Sequence, residues 1–207
     1  MTFQYYLQCY GNGKFHLENM QYHTKIEQTE KLEAIRACRI KCCSEIQAEF
    51  VRISVWDVFE SQFTDVKQRY KFFVLEGRSQ TGKTSYVNAS QGSPGSVYYC
   101  SCAGDKEPDL RQFDYFKHKL ILLDEATPAT VLAHKDLLQS SNEIVRMGTS
   151  KTNCHSYEVF CGGTKFVICS NRWKAECDKL DVYDREWIES NQMYYNTEAV
   201  PLFKIHG

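Results

Sequence analysis

The stretch "GRSQTGKT", residues 77–84, follows directly on the apolar run "FFVLE" and opens "GKTSYVNAS", which reads as a helix. Gly, four residues, then Gly-Lys-Thr matches the phosphate-binding loop pattern in full, with a strand before it and a helix after it. Each position has a chemical reason. Gly77 and Gly82 let the backbone turn tightly and bring its N–H groups close to phosphate oxygens. Arg78, Ser79, Gln80 and Thr81 supply the backbone between them. The helix N-terminus adds partial positive charge. Lys83 offers an ammonium to the β- and γ-phosphates, and Thr84 offers a hydroxyl to a magnesium ion. ATP with Mg²⁺ is the ligand these residues call for.

Two further stretches extend the pattern. "LILLDE" (120–125) is a buried strand closed by two acids. Such a strand places Asp124 and Glu125 at the carboxyl edge of a sheet, where nucleotides sit in open α/β folds. Asp124 is the candidate to hold magnesium, directly or through water. Glu125 is the candidate to orient and deprotonate an attacking water. "FVICSN" (166–171) is another buried strand, ended by Asn171, whose amide suits the γ-phosphate or the attacking water. Near-continuous apolar runs of this kind fit a parallel sheet covered on both faces. Their alternation with helical segments predicts an α/β domain.

The 207 residues suffice for one sizeable domain with a small appendage. The formal charge of -1 confines any nucleic-acid contact to a local patch. The ten cysteines follow no secretory signal, and "CRIKCC" (38–43) and "CSC" (100–102) do not give two clean pairs of zinc-ligand spacing. Reduced, buried thiols in an intracellular protein are the expectation. No apolar stretch reaches membrane-spanning length, so no membrane partner is expected. Residues 24–50 lack Gly and Pro and carry an apolar face at Ile26, Leu32, Ile35 and Ile46, which predicts a helix. Helices are also predicted over 54–63 and 131–141, a strand over 96–102, and a strand with a hairpin over "NEIVRMGTSKTNCHSYEVF" (142–160). The last thirty residues give no clear assignment. The expected layout is a leader or fragment of an upstream region at 1–22, a helical subdomain at 23–66 and an ATPase domain at 67–207.

Together "GRSQTGKT", "LILLDE" and "FVICSN" resemble the superfamily 3 helicases, most of all the helicase half of replication-initiator proteins of circular single-stranded DNA viruses. The likeness covers residues 50–175, by motif and spacing. It implies an AAA+-like parallel sheet, ATPase activity, and a hexameric ring on single-stranded DNA, with the helical 23–66 segment as the oligomerisation bundle. The family's hairpin grips the DNA backbone. Here "RMGTSKTNCHSY" takes its place, with Lys151 first, then His155 and Arg146, suited to sequence-independent phosphate contact. The family also uses an arginine from the neighbouring subunit. Arg185 and Arg172 are the candidates, and Arg185 is the better placed, since Arg172 sits beside Asn171 of its own subunit. The family's nicking domain has no counterpart: "FHL" (15–17) has one His, and His23 is isolated. A stand-alone helicase piece, a fragment or a degenerate relative would take its nick from a separate endonuclease. If the virus is eukaryotic, its place is the host nucleus. An ATP-binding switch or assembly module that hydrolyses slowly and unwinds nothing, a viral RNA helicase of the same superfamily and a small-molecule kinase are the other readings.

Overall fold

The computed structural model describes Glu30 and residues 49–93, 95–104, 106–148 and 156–204. The chain divides into two compact units, Met1–Gln47 and Ala48–Gly207. Of the first, Glu30 alone is described, and it is helical. The rest of the helix predicted over 24–50 lies outside the described residues up to Glu49. At Phe50 the backbone is extended, not helical: Phe50 forms an antiparallel bridge with Phe203. The bridge is fixed by Val51 N–H donating to Leu202 O at 2.7 Å and Lys204 N–H to Glu49 O at 2.7 Å.

In the second unit the order is α1 (Ser54–Ser61), β1 (Phe72–Glu76), α2 (Lys83–Ser90), β2 (Val97–Ser101), β3 (Leu120–Asp124), α3 (Pro128–Ala133), α4 (Lys135–Leu138), β4 (Ile144–Met147), β5 (Tyr157–Phe160), β6 (Lys165–Ser170), α5 (Trp173–Cys177), α6 (Val182–Asn191) and β7 (Gln192–Asn196). Five strands form one sheet in the order β2-β3-β6-β1-β7. All four pairings in it are parallel. β4 and β5 make a separate antiparallel pair, the hairpin predicted from sequence.

The apolar runs are continuous because the sheet is buried on both faces. Alternate side chains go to opposite cores. Phe72, Val74, Ile121, Leu123, Phe166 and Ile168 pack on one side with Val131, Leu137, Trp173 and Ile188 from α3 to α6. Phe73, Leu75, Leu120, Leu122 and Val167 pack on the other with Trp56 and Phe59 of α1 and Tyr86 and Val87 of α2. The helix predicted at 54–63 therefore faces the sheet. Cys100, Cys102, Cys161, Cys169 and Cys177 are buried free thiols within this packing. Among the described residues no helix is long and apolar enough to cross a membrane.

Two further segments differ from the sequence reading. The helix predicted over 131–141 begins earlier and breaks. Thr127 caps it, its hydroxyl accepting from Thr130 N–H at 3.3 Å, with Pro128 in the first turn. His134, at φ -126° and ψ 40°, interrupts it before α4. The last thirty residues, left unassigned, hold α6 and the fifth strand of the sheet, β7. β7 is an edge strand, half-buried along Gln192–Tyr195, and so lacks the apolar run that marks the others.

Phe73 is fully buried, with ring centroids 5.0 Å from Trp56 and 5.2 Å from Phe59. Phe73→Ala should cost about 3–5 kcal/mol in urea unfolding, the range for emptying a packed aromatic site. A loss under about 1 kcal/mol would mean α1 does not seal that face of the sheet.

Candidate functional site

Parallel register brings the strand ends into line. Glu76 pairs with Ser170 and with Asn196, Asp124 with Cys169, and Ser101 with Asp124. The residues one step beyond, Gly77, Glu125 and Asn171, share that carboxyl edge. Because β6 lies between β1 and β3, Asn171 stands between the 77–84 loop and Glu125. The side chains meet there: Lys83 Nζ donates to Asn171 Oδ1 at 2.9 Å, and Asn171 Nδ2 donates to Glu125 Oε1 at 2.6 Å. Lys83 Nζ also donates to the carbonyls of Gly77 (2.7 Å) and Arg78 (2.8 Å). The three motifs thus form one hydrogen-bonded chain.

Lys83 is only 8% exposed. Burial lowers its pKa from the ordinary 10.5, while the Glu125, Asp124 and Glu76 carboxylates act against that shift. Glu76 is itself buried and accepts from Tyr194 Oη at 2.5 Å and from Lys174 N–H at 3.2 Å. Glu125 holds a left-handed backbone, φ 60°. For a non-glycine residue this costs of order 1–3 kcal/mol and is typical of residues that a site holds in place.

The loop fits a phosphate group. Gly82 has φ 84° and caps α2 in the left-handed conformation. Arg78, Ser79 and Gln80 are exposed, whereas Thr81 is buried, its hydroxyl donating to Arg78 O at 2.9 Å. Among the described residues the loop amides from Ser79 to Gly82 have no protein acceptor, which leaves them free for an anion. Thr84 is half-buried beside the Cys169 thiol, and Asp124 is the register partner of Cys169. Thr84 and Asp124 thus both neighbour Cys169.

Gly77 carries a packing constraint besides the one its motif predicts. A Cβ there would lie 1.9 Å from Thr197 Oγ1, in the turn just after β7. The same C-terminal stretch backs the rest of the loop: Leu202 N–H donates to Thr81 O at 2.8 Å, and a Cβ on Gly82 would meet Phe203 Cδ1 at 2.8 Å.

Beside the chain of motifs a cleft of ≈ 350 Å³ opens between Glu125, Ala126, Thr127, Asn171, Arg172 and Glu176. Arg172 is exposed on its wall, and Arg185 is half-buried on α6 and does not line it. Arg146 lies on exposed β4, its guanidinium donating to Ser156 Oγ at 3.1 Å. Lys151 and His155 lie outside the described residues. The sequence reading missed Tyr99, whose phenol donates to Asp124 Oδ2 at 2.7 Å. The only signal for it was position: Tyr99 precedes by two residues the Ser101 that pairs with Asp124.

No protein-family model matches the chain, and no curated protein matches it. Among solved structures, two of the apo NrS-1 C-terminal region align at TM-score 0.40, with 15% and 17% identity, over 72% of this chain and 33% of theirs. A further form of that region aligns at TM-score 0.33 and 15% identity, over 66% of this chain and 37% of that one. The chain spans about a third of the length of the solved chains it matches.

Gly77→Ala should destabilise the fold by about 1–3 kcal/mol, the usual cost of overpacking. Thr197→Ala removes the offending oxygen, which is buried without a hydrogen-bond partner. The double variant should recover more than half of the loss in thermal or urea unfolding. Simple addition of the two effects would show that the Gly77–Thr197 contact is not the constraint.

Proposed function

We propose that the chain is a P-loop ATPase of the superfamily 3 type, which hydrolyses ATP with Mg²⁺ to move single-stranded DNA through a homo-oligomeric ring, six subunits by the family's pattern. The observation that carries this reading is the Lys83–Asn171–Glu125 chain at one sheet edge. It joins a phosphate-binding cation, an amide and a carboxylate within reach of the loop amides.

The division of labour follows from the atoms. The amides of residues 79–82 and the α2 N-terminus receive phosphate oxygens. Lys83 turns its ammonium from the Gly77 and Arg78 carbonyls to the phosphates. Thr84 and Asp124 would hold Mg²⁺, which when bound offsets the charge that builds up on the phosphate oxygens. Glu125 takes the proton of the attacking water, and Asn171 holds that carboxylate in place through Nδ2. Arg185, which does not line its own cleft, is the candidate to reach a neighbour's site; Arg172 is the alternative. Lys151, His155 and Arg146 of the β4–β5 hairpin are the candidates for DNA phosphates.

Glu125→Gln should keep ATP binding and lower turnover by about 10²–10⁴-fold, the range for a lost general base, whereas Lys83→Ala should lose both. Lys151→Ala should keep basal turnover and lose stimulation by single-stranded DNA. If the wild-type protein assembles with ATP yet single-stranded DNA leaves its turnover unchanged, the translocase reading fails and the switch reading takes its place. Stimulation by RNA alone would move the substrate to RNA.

Lys83 also sets a pH dependence. Its folded pKa is lowered, so below that value the buried charge weakens the fold, and stability from this group rises with pH up to the ordinary 10.5. ATP binding needs the charged form, so its alkaline decline should begin below pH 10.5. Lys83→Arg, charged throughout, should remove that decline from an affinity titration. A wild-type affinity that stays flat to pH 10.5 would contradict the assignment.

A further inference from the structure

We propose that Tyr99 is a positioning residue that fixes the Asp124 carboxylate for a divalent cation. The proposal rests on the nucleotide-site reading above. Tyr99 and Ser101 are two apart on β2 and share a face, and Ser101 is the register partner of Asp124. The Tyr99 phenol donates to Asp124 Oδ2 at 2.7 Å, and the Ser101 hydroxyl bonds to the same phenol. Among the described residues no donor takes Asp124 Oδ1. On the side of Asp124 away from β2 stands Cys169 of β6, with the Thr84 hydroxyl beside it. The carboxylate is thus held from the β2 side through Oδ2, while Oδ1 takes no donor among the described residues. Tyr99 is 44% exposed at an edge strand, where a tyrosine has no packing reason to direct its hydroxyl at a carboxylate.

The physical consequence concerns geometry. A carboxylate tied through one oxygen binds a cation through the other and cannot swing into a two-oxygen grip. Mg²⁺ demands near-ideal octahedral positions, whereas Ca²⁺ accepts irregular ones. Loss of the phenol should therefore weaken Mg²⁺ coupling more than Ca²⁺ coupling.

The test is calorimetric binding of a non-hydrolysable ATP analogue with Mg²⁺, with Ca²⁺ and with EDTA. In the wild-type chain Mg²⁺ should tighten binding over EDTA. In Tyr99→Phe that gain should fall by about 10- to 100-fold, the range for outer ligands of metal sites, with the EDTA affinity unchanged and the Ca²⁺ gain less affected. In an Asp124→Asn background, Tyr99→Phe should have no further effect. A Mg²⁺ gain that survives Tyr99→Phe overturns the proposal alone. So does an equal loss in the Mg²⁺ and EDTA arms, which is the mark of a merely structural role. A wild-type chain without any Mg²⁺ gain overturns the nucleotide-site reading, and this proposal with it.

Discussion

At the sheet edge the Asn171 amide joins an ammonium to a carboxylate without carrying charge itself. Its oxygen accepts from Lys83 and its nitrogen donates to Glu125. A carboxylate in its place would repel Glu125, and a cation would repel Lys83. This contact depends on strand order. Only with β6 between β1 and β3 does the residue after β6 fall between the loop that follows β1 and the acids that follow β3. The order is fixed in turn by two apolar cores. A strand such as β6, buried on both faces along Phe166–Ser170, is stable only with a paired neighbour on each side.

The same burial explains why the polar chemistry lies at the carboxyl ends and nowhere else in the sheet. In the central strands β3, β6 and β1 the backbone is paired on both sides and both faces are largely apolar. Past Gly77, whose N–H still donates to Ser170 O at 3.1 Å, the chain turns, and the amides of residues 79–82 have no strand partner. Lys83 compensates in part. Its ammonium takes up the Gly77 and Arg78 carbonyls, which keeps a buried cation hydrogen-bonded. The carbonyls are thus satisfied by the protein while the amides remain open, an arrangement that discriminates for anions.

Much of this was legible in the sequence because the strongest signals are those burial imposes. The runs "FFVL", "LILL" and "FVIC" mark strands covered on both faces, and the residues that end them mark the site. β7 was not legible, since a half-buried edge strand reading "QMYYN" carries neither alternation nor an apolar run. The break at His134 was hidden, because the apolar spacing of Val131, Leu137 and Leu138 continues through it and their side chains reach the same core. The second constraint on Gly77, its closeness to Thr197, was not legible. A motif states which residue is present, and the clash with Thr197, 120 positions away, appears only in three dimensions. Tyr99 was invisible for the same reason: its role depends on pairing between β2 and β3, which no local pattern encodes.

Nucleotide binding at this edge would be an exchange rather than a simple addition of contacts. Lys83 already has three acceptors, so a phosphate must replace bonds of normal length with charge-assisted ones. When Lys83 leaves Asn171 Oδ1, the amide keeps its bond to Glu125 but loses the cation that anchors its other end. Asn171 is then free to accept from a water or turn toward the phosphate, carrying Glu125 with it. Glu125 is already held at φ 60°, a conformation that only surrounding contacts maintain. A change at Lys83 therefore reaches the candidate base through one shared amide. That coupling is what an ATPase needs if the carboxylate is to act only when a triphosphate is in place.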